Sequence, residues 1–212
     1  DGSFTYTPNP LFNGADAFTY KANDGFADSN VVQVVITVTP VNNPPVATDD
    51  TYTTAEDISL SIPAGGVLTN DSDLENDPLS AFLVSGPTHG SLTLNGDGSF
   101  SYTPTSNYSG PDSFTYKAND GTADSTLATV NISVTAVNDA PVAVGEDFTT
   151  SEDTTLAIAA TGVLANDSDT DADPLSVILV TGPTHGALTL NVDGSFSYIP
   201  TSNYSGPDSF TY

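Results

Sequence analysis

The 212-residue chain carries 27 acidic and 2 basic side chains, a formal net charge of −25 at neutral pH. So few cations exclude a nucleic-acid interface, which needs Lys and Arg against phosphates, and binding to an anionic lipid surface fails on the same ground. Hydrophobic residues make up 37% and Cys is absent, so several small cores are expected without disulfide staples, and no apolar run reaches the roughly 18 residues of a membrane span.

From the N-terminus, "DGSFTYTPNPLFNGADAFTYKANDG" at 1–25 returns as "DGSFSYTPTSNYSGPDSFTYKANDG" at 97–121 and again as "DGSFSYIPTSNYSGPDSFTY" at 193–212. Asp1, Asp97 and Asp193 are thus 96 residues apart, and "GVLTNDSD" at 66–73 maps on "GVLANDSD" at 162–169 with the same offset. That period is too long for a solenoid unit and fits a whole small domain. The Pro-containing stretch "VNNPPVA" at 41–47 recurs as "VNDAPVA" at 137–143 and stiffens the junctions. Three domains follow: the C-terminal part of one repeat at 1–42, a complete repeat at 43–138 and the N-terminal part of a third at 139–212. With no Met in the sequence, residue 1 is not a translation start, and the chain is expected to be a window on a longer repetitive polymer.

Within the complete repeat, "DTYTT", "DISLSI" and "LSAFLVS" predict three short strands. "GSLTLNGDGSFSYTP" at 90–104 predicts two more, joined by an Asn-Gly-Asp-Gly hairpin. "DSFTYKAND" at 112–120 predicts a strand with Phe114 and Tyr116 on one face, and "TVNISVTAV" at 129–137 alternates as a half-buried strand does. Seven short strands without helical periodicity predict an all-β fold, an antiparallel Greek-key sandwich repeated in a linear array.

Between strands the acids gather. "NDSDLENDPL" holds Asp71, Asp73, Glu75 and Asp77, and "NDSDTDADPL" holds Asp167, Asp169, Asp171 and Asp173. Two carboxylates about 6 Å apart repel by roughly 3 kcal/mol at an effective dielectric of about 20. A hard cation offsets that repulsion. Calcium takes six to eight oxygens in irregular loops, whereas magnesium demands a tighter octahedron. The spacing is not that of an EF-hand, which needs a Gly at position six and a Glu at twelve.

These residues carry a resemblance. "YKANDGTADSTLATVNISVTAVNDAPVA" is similar to the end of a cadherin repeat, and "DSDLEND" resembles its D-x-D-x-x-x-N element. The pattern throughout resembles the cadherin-like tandem repeat of giant bacterial surface adhesins. The resemblance implies cadherin/immunoglobulin-like domains with Ca2+ clamped at their junctions. The junction of the second and third repeats would draw on Glu56 (with Glu152 as its counterpart in the third), Asp112, Asn138, Asp139, Asp167, Asp169 and Asp173. The earlier junction would use Asp16, Asn42, Asn43, Asp71, Asp73, Asp77 and Asp120. At Asn43 an amide replaces the carboxylate of Asp139, so weaker binding is expected there.

Other signals carry less. His89 and His185 recur once per repeat in "GPTHG" and are expected as turn residues, because equivalent positions a domain apart cannot form one metal site. Repetition of every Ser, His and Asp argues against a single tuned triad, so no enzyme is expected. Lys21 and Lys117 occupy the same strand position, and a Lys–Asn cross-link is the less simple alternative to an exposed lysine. Asn107, Asn131 and Asn203 fit a glycosylation acceptor pattern. Three readings stay open: a calcium-stiffened stalk of a secreted or cell-surface adhesin or fibre, a calcium-dependent polysaccharide-binding module, and a spacer in a large secreted enzyme. The expected partners are further copies of the repeat, along the chain and laterally, with no membrane insertion.

Overall fold

The computed structural model describes residues 1–212, which divide into two compact units, Asp1–Ala136 and Val137–Tyr212. In the first, residues 1–42 contribute a hairpin of β1 (Gly14–Tyr20) and β2 (Val32–Val38), paired antiparallel from Gly14 opposite Val38 to Tyr20 opposite Val32. It is thinly covered: every residue of β1 is exposed, and only Val34, Ile36 and Val38 of β2 are half-buried.

Residues 43–136 form a complete sandwich. One sheet runs in the order β3 (Asp50–Ala55), β9 (Ala128–Thr135), β8 (Gly110–Asn119), β5 (Ser80–Ser85). The other runs β4 (Leu60–Ile62), β7 (Phe100–Pro104), β6 (Gly90–Leu94). The seven expected strands are present, and the connectivity is the Greek key of the cadherin and immunoglobulin sandwiches. One pairing differs from the antiparallel expectation: β3 runs parallel to β9, with Asp50 opposite Val130 and Ala55 opposite Thr135. The first and last strands therefore share a direction. The chain enters the repeat at one pole and leaves at the other, which no residue pattern within either strand encodes.

Period-two alternation builds the core. In β9, Ala128, Val130, Ile132 and Val134 are buried while the residues between them are not, and in the neighbouring β8 Phe114 lies opposite Val130 and Tyr116 opposite Ala128 in the same core. Phe100 meets Tyr52 and Phe114 edge to face at 5.1 and 5.3 Å, the geometry that ring quadrupoles favour. The hairpin turn closes on the short 3-10 turn Gly66–Leu68. There Gly66 and Gly98 both have positive φ, and a Cβ on either would collide with the other's turn backbone.

The second unit assembles one sheet of the pair. β10 (Leu156–Ile158), β12 (Phe196–Pro200) and β11 (Gly186–Leu190) repeat the three-stranded sheet in the same order. Val163, Val177 and Phe196 form its buried core. Residues 146–150 and 206–210, counterparts of β3 and β8, lie in no strand, and a single bridge joins Thr181 to Thr211.

Candidate metal centre

The acidic loop after Gly66–Leu68 folds around its own carboxylate. Asp73 Oδ1 accepts the backbone N–H groups of Glu75 (2.9 Å) and Asp77 (3.0 Å), the Asx turn that favours Asp here, while Asn76 takes a left-handed φ of 62°. Two backbone hydrogen bonds between Val46 and Ser72 then tie the incoming linker to the loop. The linker amides reach acids on both sides. Asn43 donates its N–H (3.1 Å) and Nδ2 (2.6 Å) to Glu75, and Asn42 donates Nδ2 to Asp120 at 2.8 Å. Asp120 in turn accepts N–H groups from Thr122 and Ala123; that hydrogen bond from Asn42, joined by those from the two backbone groups, holds its carboxyl below the usual range.

One atom stands out. Asp73 Oδ2 is buried and has no hydrogen-bond partner, alone among the buried side-chain polar atoms of the chain. An unpaired buried carboxylate oxygen is costly, and Asp73 lines a shallow cavity with Asn43, Pro44, Val46, Ser72 and Leu74. No three His, Asp or Glu side chains converge into a ready-made cage. The available oxygens interleave carboxylates with amides and linker backbone, a set that calcium's flexible shell suits better than magnesium's octahedron.

The second unit repeats the arrangement. Asp169 Oδ1 accepts N–H groups from Asp171 (2.9 Å) and Asp173 (3.2 Å), and Val142 pairs with Ser168. Asp171 Oδ2 accepts the linker N–H of Asp139 at 2.7 Å, and Asn138 Nδ2 donates to the Asp139 carbonyl. Glu75 and Asp171, outside the ligand set that the resemblance implies, thus join Asp120 among the carboxylates that hold the linkers. Their place in the alternating acidic run was the available signal.

Other acids of the expected set are engaged elsewhere. Asp112 is buried, and its carboxylate accepts N–H groups from Thr88 (3.0 Å), His89 (3.0 Å) and Ser113 (2.9 Å) and the Tyr102 hydroxyl (2.9 Å). Burial pushes its carboxyl upward, and those four hydrogen bonds more than offset the push, so it lies below the ordinary range. Asp16 accepts the Tyr6 hydroxyl at 2.9 Å and Asp208 the Tyr198 hydroxyl at 2.8 Å, the same Tyr–Asp pairing in each repeat. Asp77 and Asp173 are exposed and meet the loop through their N–H groups. Glu56 is buried where β3 ends beside Thr135, and Glu152 is exposed.

Asp71 and Asp167 form a third group. Asp71 accepts the Thr48 N–H at 2.8 Å and lies 3.0 Å from the Tyr116 hydroxyl, which also meets Asp50 (3.5 Å) and the Val67 carbonyl (2.6 Å). Glu146, Tyr212 and Val163 repeat the cluster beside Asp167. A phenol donates one proton, and Val67 is the nearest acceptor, so a carboxyl in this cluster gains by carrying its own. Burial first, then the charge of Asp71, pushes Asp50 up to about 6. A raised folded pKa means stability that is present below the unfolded carboxyl value and lost as pH rises through about 6. Asp50→Asn is therefore expected to gain about 1 kcal/mol at neutral pH, solvent screening having reduced the full linkage. Calcium-free urea titrations between pH 4 and 8 check this: the variant's stability should rise relative to the parent above pH 6 and not below pH 4.

His89 stacks on Tyr108 at 4.1 Å and His185 on Tyr204 at 4.2 Å, each beside its turn Thr. Lys21 and Lys117 pair with Asp28 and Asp124 at 3.6 Å, exposed contacts that contribute little.

The bacterial cadherin-like domain matches residues 42–136 and 138–212, and the bacterial Ig domain matches residues 1–37. Both are extracellular adhesion-type modules and generally non-enzymatic. Integrin beta-like protein E of Dictyostelium discoideum is 28% identical over 221 residues, 89% of this chain and 11% of its own. The protocadherin GammaB4 extracellular domain aligns over 92% of this chain and 37% of its own, at 14% identity and a TM-score of 0.47. An endo-fucoidan hydrolase from glycoside hydrolase family 107 aligns over 96% and 32%, at 21% identity and a TM-score of 0.38. The chain thus spans 11% of the curated relative and 32–37% of these two structures. No helix is long and apolar enough to cross a membrane.

Proposed function

The chain belongs to the bacterial cadherin-like domain family, and on that premise we propose that it is a stalk segment of an extracellular adhesin, made rigid by calcium at its linkers. The observation that carries the reading is the buried, partnerless Oδ2 of Asp73 beside the linker. In the first unit Asp73, Glu75 and Asp120 would supply carboxylate oxygen, with Asn42 and Asn43 adding amide oxygen after rotation of their terminal groups. In the second unit Asp169, Asp171, Asp139 and Asn138 would do the same. A bound cation supplies charge compensation and a fixed geometry between loop and linker; the chain's part is to hold its oxygens there and limit the linker's backbone freedom.

The reading is mechanical, with the repeat as spacer. Small-angle scattering in millimolar calcium and in excess chelator tests it. Calcium should narrow the distribution of interatomic distances, and Asp73→Asn combined with Asp169→Asn and Asp171→Asn should abolish that narrowing while leaving the circular dichroism of the sandwich unchanged. Identical scattering in both buffers would overturn the stalk reading.

A further inference from the structure

Every strand of the complete repeat lies within residues 43–136, so the edges of its two sheets are its own. Three of those edges are blunted in ways that discourage contact. β3 opens on Asp50 behind Asp49 and is followed by Glu56 and Asp57, β4 is three residues long, and β6 exposes only Ser91 and Thr93. β5 is the exception. Its Phe82, Leu83 and Val84 stand together at 55, 47 and 55% exposure. A bulge between Leu83 and Ser85 leaves Val84 outside the ladder with β8 and interrupts the alternation that would hide every second side chain.

This edge is also free of carboxylates. No acid lies between Asp77 and Asp97 in a chain of net charge −25, and the outward-facing residues of the adjoining β8, Ser113, Thr115 and Lys117, add none. The pattern recurs in sequence. Ser-Ala-Phe-Leu-Val-Ser at 80–85 returns as Ser-Val-Ile-Leu-Val-Thr at 176–181, again with no acid between Asp173 and Asp193.

We propose that β5 is a side-by-side contact between two copies of this chain, in which Phe82, Leu83 and Val84 cover their equivalents across a two-fold axis. Charge selects a second copy as the occupant. Two molecules that each carry −25 repel except where both present a neutral surface, and an apolar edge meeting its own equivalent satisfies that condition on both sides. The bulge denies a partner a regular row of backbone groups, so the contact is made by side chains and does not continue the sheet. Three side chains a copy make a small contact against the roughly 1,200–2,000 Å² of a stable pair, so one repeat associates weakly. A patch that returns every 96 residues multiplies the contact along paired arrays. The contact needs no calcium, so its failure would leave the linker reading intact.

The test is disulfide trapping of the full chain in chelator, which its lack of Cys makes clean. Val84→Cys should oxidise to a covalent dimer at least roughly tenfold faster than Ser61→Cys, an exposed position on β4 of the other sheet, once both rates are normalised to reaction with a small disulfide reagent. Added salt should raise the dimer yield, because it screens the repulsion between copies without weakening apolar burial. Phe82→Ser in the Val84→Cys chain removes a ring from each copy and should slow trapping by about tenfold. Trapping of Val84→Cys no faster than Ser61→Cys, or undiminished by Phe82→Ser, or weakened by salt, overturns the proposal and leaves the edge to an occupant of another kind.

Discussion

Asp112→Ala is expected to lower the unfolding free energy of the complete repeat by about 3–5 kcal/mol. The carboxylate satisfies Thr88 N–H, His89 N–H, Ser113 N–H and the hydroxyl of the fully buried Tyr102. Its removal leaves the hydroxyl of the fully buried Tyr102 and three N–H groups of the adjoining turn and strand without their acceptor. Each hydrogen bond to a charged group contributes about 1.5–3 kcal/mol, and a shared acceptor makes the sum smaller than its parts. Asp112→Asn keeps one acceptor and should cost roughly half as much. The folded carboxyl lies below its ordinary value. Its contribution is therefore present above the unfolded carboxyl pKa and is lost as pH falls through the lowered one. Urea unfolding at neutral pH and in acid measures both effects: the alanine variant should lose less stability than the parent as the solution is acidified. A shift under about 1 kcal/mol at neutral pH would show that the Thr88–His89 turn is held by other contacts.

The second large effect changes sign with calcium. In chelator, Asp73→Asn removes a charge from a buried oxygen that nothing pairs and should stabilise the first unit by about 1 kcal/mol. With calcium present the same change removes a ligand. Extracellular calcium modules have dissociation constants of about 0.1–1 mM, so tenfold saturation stabilises the parent by about 1.4 kcal/mol per site. For a domain of this size that is a rise of roughly 6–10 °C in Tm. The variant should melt above the parent in chelator and below it in millimolar calcium. Thermal scans of both proteins in both buffers check the crossing; a variant that stays on one side of the parent would mean that Asp73 holds no cation.

Side-chain alternation made the strands legible. β8 and β9 bury every second residue, and Asn95–Gly98 closes the hairpin with Gly98 at a φ of 81°, as its glycine-rich sequence implies. The parallel partnership of β3 and β9 was not legible, because it follows from the course of the whole chain. The 96-residue period showed which acids recur but not what each one touches. Asp73, Asp112 and Asp71 are all loop or strand-end aspartates in sequence. Only packing separates the one with an oxygen left over from the one that pins a turn and the one that shares a tyrosine hydroxyl with Asp50. Glu75 was visible in the acidic run, yet its contact with Asn43 depends on Val46 pairing with Ser72, a long-range bond that no local motif encodes.

Isothermal titration of calcium into the chelator-stripped full chain tests the central claim most directly. The predicted result is saturable binding with a dissociation constant of about 0.1–1 mM, lost from the first unit in Asp73→Asn and from the second in Asp169→Asn, with magnesium competing poorly. A chain that takes up no calcium at millimolar concentration, or that binds it unchanged after both substitutions, would contradict the account.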